Sequence, residues 1–247
     1  MKYGIICALQ SEISLLLEDA QIEKTSTIAL RDFHECKLYG KDVVLVMSRI
    51  GKVASAIAAT ILIEKFDVDS VIFCGTAGGI DLDLNVGDVV IGDKSVQHDI
   101  VIGDELFTIP RDEIAYFESD KQLVKKLSDS IKKYINDDLI NDIPKEHLEK
   151  FNIKSPKTVI GTVASGDQFI CDGSRNEWLR NKVDNIKCVE MEGAAVAQVC
   201  YEFCVPFAVA RVISDSANSN AGIDFDSFAL ETACHFTRGM MKAFLTT

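Results

Sequence analysis

The sequence predicts a layered α/β fold, and three observations carry the prediction. Short β-rich apolar runs alternate with helix-like segments along the chain, as strands covered by helices require. Gly and Pro mark the joints between those segments, as in the glycine run Gly75–Gly79 after an apolar strand. The chain has 247 residues, 47% of them hydrophobic, enough to bury the core of one compact domain spanning 1–247.

Taken in order, the first strand is expected at Tyr3–Leu9 and the next at Val43–Ser48. Lys52–Lys65 reads as a helix that is apolar on nearly every side, suited to deep burial or a subunit interface. Val71–Cys74 is a buried strand, with a tight glycine turn expected at Gly75–Gly79. Val89–Ile91 is strand-like. Ser119–Asn136 is an amphipathic helix with Leu123, Leu127, Ile131 and Ile135 four apart and Ser119 as its cap. Residues 136–156 hold two prolines and many charges and read as a surface insertion. Strand-like sequence resumes at Thr158–Ala164 and again at Phe207–Ile213. An Ala-rich helix is expected at Glu192–Phe203, and one long closing helix at Asp224–Leu245. No internal repeat is evident.

Charge excludes one class of partner. The formal net charge is −12, from 38 acidic against 26 basic residues, and phosphate backbones need clustered Lys and Arg. The first apolar run is too short for a secretion signal, and no stretch reaches the ~18–20 apolar residues of a membrane span, so the cytoplasm is the expected location. Eight cysteines form no CxxC pair and no cluster with His at zinc-like spacing, and they read as reduced core residues. Cys200 and Cys204, four apart, would share one face of a helix.

Five places bear chemistry. Val71–Gly79 runs a strand into glycines that let a ligand approach the backbone, or simply turn the chain; neither the dinucleotide nor the P-loop spacing is present. Glu12 follows the first strand, where ligands bind in open α/β sheets, but a Glu in a first helical turn is also favoured by the dipole. Asp215 ends a buried strand that contains Arg211, a cation that needs a carboxylate partner there. Val189-Glu-Met-Glu-Gly places Glu190 and Glu192 about Met191 where a strand passes into a helix, and one such carboxylate can accept both hydroxyls of a ribose diol. Phe169, in Ser165-Gly-Asp-Gln-Phe-Ile170, is either a stacking surface for a base or a plain core aromatic.

Together these segments resemble the purine nucleoside phosphorylase/uridine phosphorylase superfamily, and within it the 5′-methylthioadenosine/S-adenosylhomocysteine nucleosidases. The resemblance runs from Met1 to about Leu245 through Gly4-Ile-Ile…Glu12, Ile50-Gly-Lys-Val-Ala54, Gly75-Thr-Ala-Gly-Gly79, Val86-Gly-Asp88, His98-Asp99, Ser165-Gly-Asp167, Phe169-Ile170, Val189-Glu-Met-Glu192 and Arg211-Val-Ile-Ser-Asp215. It implies a three-layer α/β/α sandwich with a central mixed twisted sheet and hydrolysis of adenine nucleosides such as 5′-methylthioadenosine, S-adenosylhomocysteine and 5′-deoxyadenosine. In that scheme Asp215 protonates the base and Glu12 activates water. Glu192 holds the ribose hydroxyls with Met191 on the sugar, and Ile50, Thr76, Ala77 and Gly78 line the site. Phe169 and Ile170 take the base, and Glu190 and Arg211 support the site. Asp215 would then need a raised pKa or a proton-relaying hydrogen bond. No cofactor or metal is implied, and a homodimer is.

The departures concern the periphery. Ala8-Leu-Gln-Ser-Glu12 stands where the phosphate-using branch has Gly-Asp-Pro and an Arg, which favours water. Thr76 replaces a Ser, and Arg49 stands where Gly is usual. Leu106–Pro110 is the candidate cover for the 5′-substituent. The competing readings are a phosphate-dependent purine nucleoside phosphorylase and a non-catalytic nucleoside-binding protein on the same fold.

Overall fold

A computed structural model describes residues 1–103, 105–106, 114–217 and 221–247, with the side chains of 221–224 excepted. Strand β1 (Lys2–Cys7) leads into helix α1 (Gln10–Asp19). A meander of β2 (Gln21–Ile28), β3 (Arg31–Leu38) and β4 (Lys41–Met47) precedes α2 (Lys52–Phe66) and β5 (Ser70–Gly79). Then come β6 (Val89–Gln97), a small ribbon of β7 (Val101–Ile102) and β8 (Glu105–Leu106), and β9 (Tyr116–Glu118). Helices α3 (Lys121–Asp137), α4 (Leu139–Asp142) and α5 (Lys145–Lys150) follow. The last third alternates β10 (Thr158–Ser165), α6 (Gly173–Lys182), β11 (Ile186–Glu190), α7 (Gly193–Glu202) and β12 (Phe207–Asp215) before α8 (Ala221–Glu231) and α9 (Ala233–Thr246).

The expected three layers are present. The central sheet runs β11-β10-β6-β12-β5-β1-β4-β3-β2, mixed in direction, with β9 added beside β6. Its inner strands β1, β5 and β12 are apolar on both faces, because helices cover both. On one face α1, α3 and α9 contribute Leu16, Leu127, Ile131, Met240 and Phe244 to one core cluster. On the other, α2 and α7 pack together and contribute Ala58, Leu62, Val196 and Cys200 to a second. The sheet also closes on itself, since the end of β5 pairs antiparallel with β11. That closure was not anticipated, and it builds the site.

Four expectations need correction. The helix read as starting at Ser119 starts at Lys121. Asp120 is its cap, accepting from the N–H groups of Gln122 and Leu123 at 3.0 and 2.9 Å, while Ser119 is buried. The long closing helix is two, broken at Thr232, which leaves helical geometry with its side chain buried. Gly75–Gly79 is not a turn but the end of β5, paired along β12. Cys204 lies past the end of α7 at φ +55, exposed, so it shares no helical face with buried Cys200. All eight cysteines are free thiols. Residues 136–156 carry α4 and α5 and send Leu139, Ile143 and Ile153 into the core. Most of Leu106–Pro110, the candidate cover, lies outside the described residues.

Candidate active site

Strand register sets the site side by side along one edge. Asp215 of β12 lies opposite Gly78 of β5, Gly78 opposite Val189 of β11, and Glu190 of β11 opposite Ser165 of β10. A bulge between Ile213 and Asp215 inserts Ser214 and re-aims the strand end, a usual device beside active sites.

Glu12 reaches this edge from the first turn of α1 and is 1% exposed. Strand β1 pairs β5 only as far as Phe73 and β11 joins β5 only from Gly78, so between those points one side of β5 lacks a neighbouring strand. The Glu12 carboxylate fills the gap. Its Oε1 accepts the Thr76 N–H at 2.8 Å and the Thr76 hydroxyl at 3.0 Å, while Oε2 accepts the N–H groups of Ala8 and Leu9, each at 3.0 Å. Gly75 is required beside it: a Cβ there would lie 2.5 Å from both Glu12 Oε1 and Arg211 Nη1.

Arg211, fully buried within β12, has the carboxylate partner its burial demands. Its Nη2 donates to Glu190 at 2.5 Å, lies 3.9 Å from Glu192, and the guanidinium stacks 3.8 Å over Phe73. Burial alone would lower the Arg211 pKa, but Glu190, Glu12 and Glu192 together hold it above its ordinary value. Glu190 also accepts the N–H groups of Glu192 and Gly193 and the Ser165 hydroxyl, and Ser165 Oγ accepts from Ala194. Burial and the Glu190 charge push Glu192 up to about 8, against the opposing pull of Arg211 and of the Gly51 N–H that donates to it at 2.8 Å. Asp215, 2% exposed, accepts from the Ala217 N–H at 2.7 Å and from the Ser214 hydroxyl at 2.8 Å.

These groups surround one cleft of about 660 Å³ including its mouth, a size that suits a nucleoside. Glu12, Ile50, Thr76, Ala77, Gly78, Phe169, Ile170, Glu190, Met191, Glu192 and Asp215 all line it, so every residue picked from the sequence except Arg211 faces the cleft, and Arg211 stands behind Glu190. Phe169 is not a core aromatic; it is 45% exposed, with its ring 5.5 Å from Phe225. Phe225, Gln168 and Leu9 also line the cleft and carried no sequence signal of their own. Ser214 could have been found from the Ser-Asp-Ser run. Arg49 stays out of the cleft: left-handed at φ +73 and exposed, it donates to the Leu30 carbonyl at 2.7 Å.

A mixed α/β sheet that gathers carboxylates from its strand ends over one apolar cleft defines the class, and residues 2–246 match the phosphorylase superfamily. The chain is 37% identical over 246 residues to the 5′-methylthioadenosine/S-adenosylhomocysteine nucleosidase of Shewanella denitrificans, covering 100% of this chain and 99% of that protein. It is 36% identical to the nucleosidase of the same name from Tolumonas auensis, over 99% of each chain. Its structure is similar to the crystal structure of the Neisseria meningitidis nucleosidase of that name in complex with methylthio-immucillin-A, with TM-score 0.86 and 32% identity over 99% of this chain and 98% of that one. The chain belongs to the phosphorylase superfamily and, within it, to the 5′-methylthioadenosine/S-adenosylhomocysteine nucleosidase family.

Proposed function

We propose that this protein hydrolyses the N-glycosidic bond of 5′-methylthioadenosine, S-adenosylhomocysteine and related adenine nucleosides such as 5′-deoxyadenosine, releasing adenine and the free ribose derivative. One observation carries the choice of water over phosphate. The described lining of the cleft holds Glu12, Glu190, Glu192 and Asp215 and no Lys or Arg, while Arg211, behind it, is already engaged by Glu190. An incoming phosphate dianion would find no cation in that lining to bind it and would meet the Glu12 carboxylate, and water has no such need.

The roles follow from the chemistry of each place. Adenine leaves readily only after protonation, so an acid is needed on its side, and Asp215 takes that part with the Ser214 hydroxyl on its Oδ2 as a relay. Glu12 activates the water. Four donors from Ala8, Leu9 and Thr76 fix its carboxylate in place. Two carboxylates with separate tasks match the demands of an oxocarbenium-like transition state. Glu192 accepts the ribose hydroxyls, and Met191 lies along the sugar. Thr76, Ala77, Gly78 and Ile50 shape the wall, and Phe169 and Ile170 hold the base. No step requires a cofactor.

A homodimer completes the proposal. Helix α2 leaves Val53 73% exposed and Ile57 37% exposed, next to Ile50 at the cleft mouth. Sedimentation should report twice the chain mass, and a monomer at micromolar concentration would refute it. The proposed location is the cytoplasm, where eight free thiols persist; among the described residues no helix is long and apolar enough to cross a membrane.

The deciding experiment is adenine release in phosphate-free buffer across a panel of 5′-substituted adenosines. Release independent of phosphate is expected. Release that disappears without phosphate would overturn the hydrolytic reading in favour of phosphorolysis, and tight binding without release would favour a nucleoside-binding protein.

A further inference from the structure

Three residues from short motifs of the sequence, Lys52, Asp99 and Asp167, take no part in the chemistry above yet converge at one point. Lys52 Nζ donates to Asp99 Oδ1 at 2.6 Å. Asp99 Oδ2 accepts the Asp167 N–H at 2.9 Å, and Asp167 Oδ1 accepts the Lys52 N–H at 2.8 Å. The three residues therefore close a ring of hydrogen bonds, and each comes from a different place in the fold: the start of α2, the loop after β6 and the loop after β10. The ion pair at its heart is well shielded, with the Lys52 and Asp99 side chains 14% and 19% exposed. Burial alone would raise the Asp99 pKa, but Lys52 and the Asp167 N–H hold it below its ordinary value.

What the ring joins gives it meaning. One residue before Lys52, the Gly51 N–H donates to Glu192, the carboxylate assigned to the sugar. One to three residues after Asp167 come Gln168, Phe169 and Ile170, which line the cleft on the side assigned to the base. Gly51, at φ +98, leaves only 3.2 Å between a would-be Cβ and Asp167 Oδ1, so the two loops are in close contact.

We propose that Lys52, Asp99 and Asp167 are positioning residues, a clamp that fixes the base-holding loop against the sugar-holding carboxylate. The proposal rests on the nucleosidase reading. Bond cleavage needs the base acid and the attacking water aligned on one substrate at once, so a loosened clamp should affect the combined ligand and spare either half. A misplacement of about 1 Å in such a geometry costs up to about a hundredfold in rate.

The test uses Lys52→Met, which keeps the main-chain donor and removes Nζ, with Asp99→Asn as a second variant and Lys52→Arg as the rescue. Folding is checked by circular dichroism and melting. Expected is a fall in kcat/KM for 5′-methylthioadenosine of about tenfold to a hundredfold, most of it in kcat, with the Kd for free adenine within about twofold of wild type. Lys52→Arg should recover most of the rate, and Lys52→Met/Asp99→Asn should be no worse than the poorer single variant. A folded Lys52→Met with kcat and kcat/KM within twofold of wild type overturns the clamp. So does an equal loss of affinity for adenine and for the nucleoside, which would mean that the loop had simply come apart. Wild-type protein that releases no adenine would instead overturn the functional reading, and the ratio of nucleoside to adenine affinity in wild type and Lys52→Met would still decide the clamp.

Discussion

Thr76 shows how much one side chain can hold in this site. Its main-chain N–H and its hydroxyl both donate to the same oxygen of Glu12, so the residue supplies half of the donors that fix the proposed base. Thr76→Val keeps the shape and the N–H but removes the hydroxyl donor, leaving a buried carboxylate short of one bond. A hydrogen bond to a charged group contributes about 1.5–3 kcal/mol, so kcat should fall about tenfold to a hundredfold, while Thr76→Ser should stay near wild type. Steady-state kinetics on both variants checks this; equal rates for Val and Ser would show that the hydroxyl has no part in fixing Glu12. The same residues mark what could be read in advance. Glu12 and Asp215 stood at strand ends, and the Arg211 burial problem called for a partner, because a charge inside an apolar strand is visible from composition alone. The donors to Glu12 were not visible, since they depend on where β1 stops pairing with β5, a matter of register rather than of residue type.

Elements were legible where one period dominated and obscure where packing decided. The expected strand of β12 and helix of α2 appear within two residues of their predicted ends, because long apolar runs leave few alternatives. The β2–β3 hairpin was missed altogether. Strand β2 is exposed along most of its length and carries little apolar signal, and the two-residue turn is Ala29-Leu30, with no Gly or Asn to announce it. Both turn residues are left-handed, at φ +50 and +60, and Leu30 is 77% exposed. Non-glycine residues there carry a cost of roughly 1 kcal/mol each, whereas Asn-Gly suits the turn. Ala29→Asn/Leu30→Gly should therefore raise stability by about 1 kcal/mol and Tm by a few degrees, with kcat/KM unchanged, since the Leu30 carbonyl that accepts from Arg49 is retained. Calorimetry decides: a lower Tm would mean that Leu30 makes a stabilising contact that outweighs its strain, for instance across a subunit interface.

At the scale of the molecule, two buried groups set opposite limits on the pH range of stability. Burial pushes His98 down to about 4. A histidine depressed in the folded state stabilises the fold above its unfolded value near 6.5, and that contribution is lost as pH falls towards 4. Glu192 acts in the other sense. Its carboxyl is raised to about 8 by burial and by Glu190, so its contribution is complete below the unfolded value near 4.5 and is lost as pH rises through 8. Stability should therefore be greatest in mildly acidic solution and decline on both sides. Glu192→Gln separates the two limbs, because it keeps the size and the acceptor for Gly51 while removing the titration. The difference in Tm between this variant and wild type should move in favour of the variant from about pH 4.5 to 8, by an amount equivalent to at most a few kcal/mol, and stay constant below about pH 4. Below pH 6.5 the variant should show the His98 decline alone, whereas in wild type the Glu192 contribution offsets it down to about pH 4.5. A Tm difference that stays flat from pH 5.5 to 8.5 would mean that Glu192 is already ionised in the folded protein, with Arg211 rather than burial governing its charge.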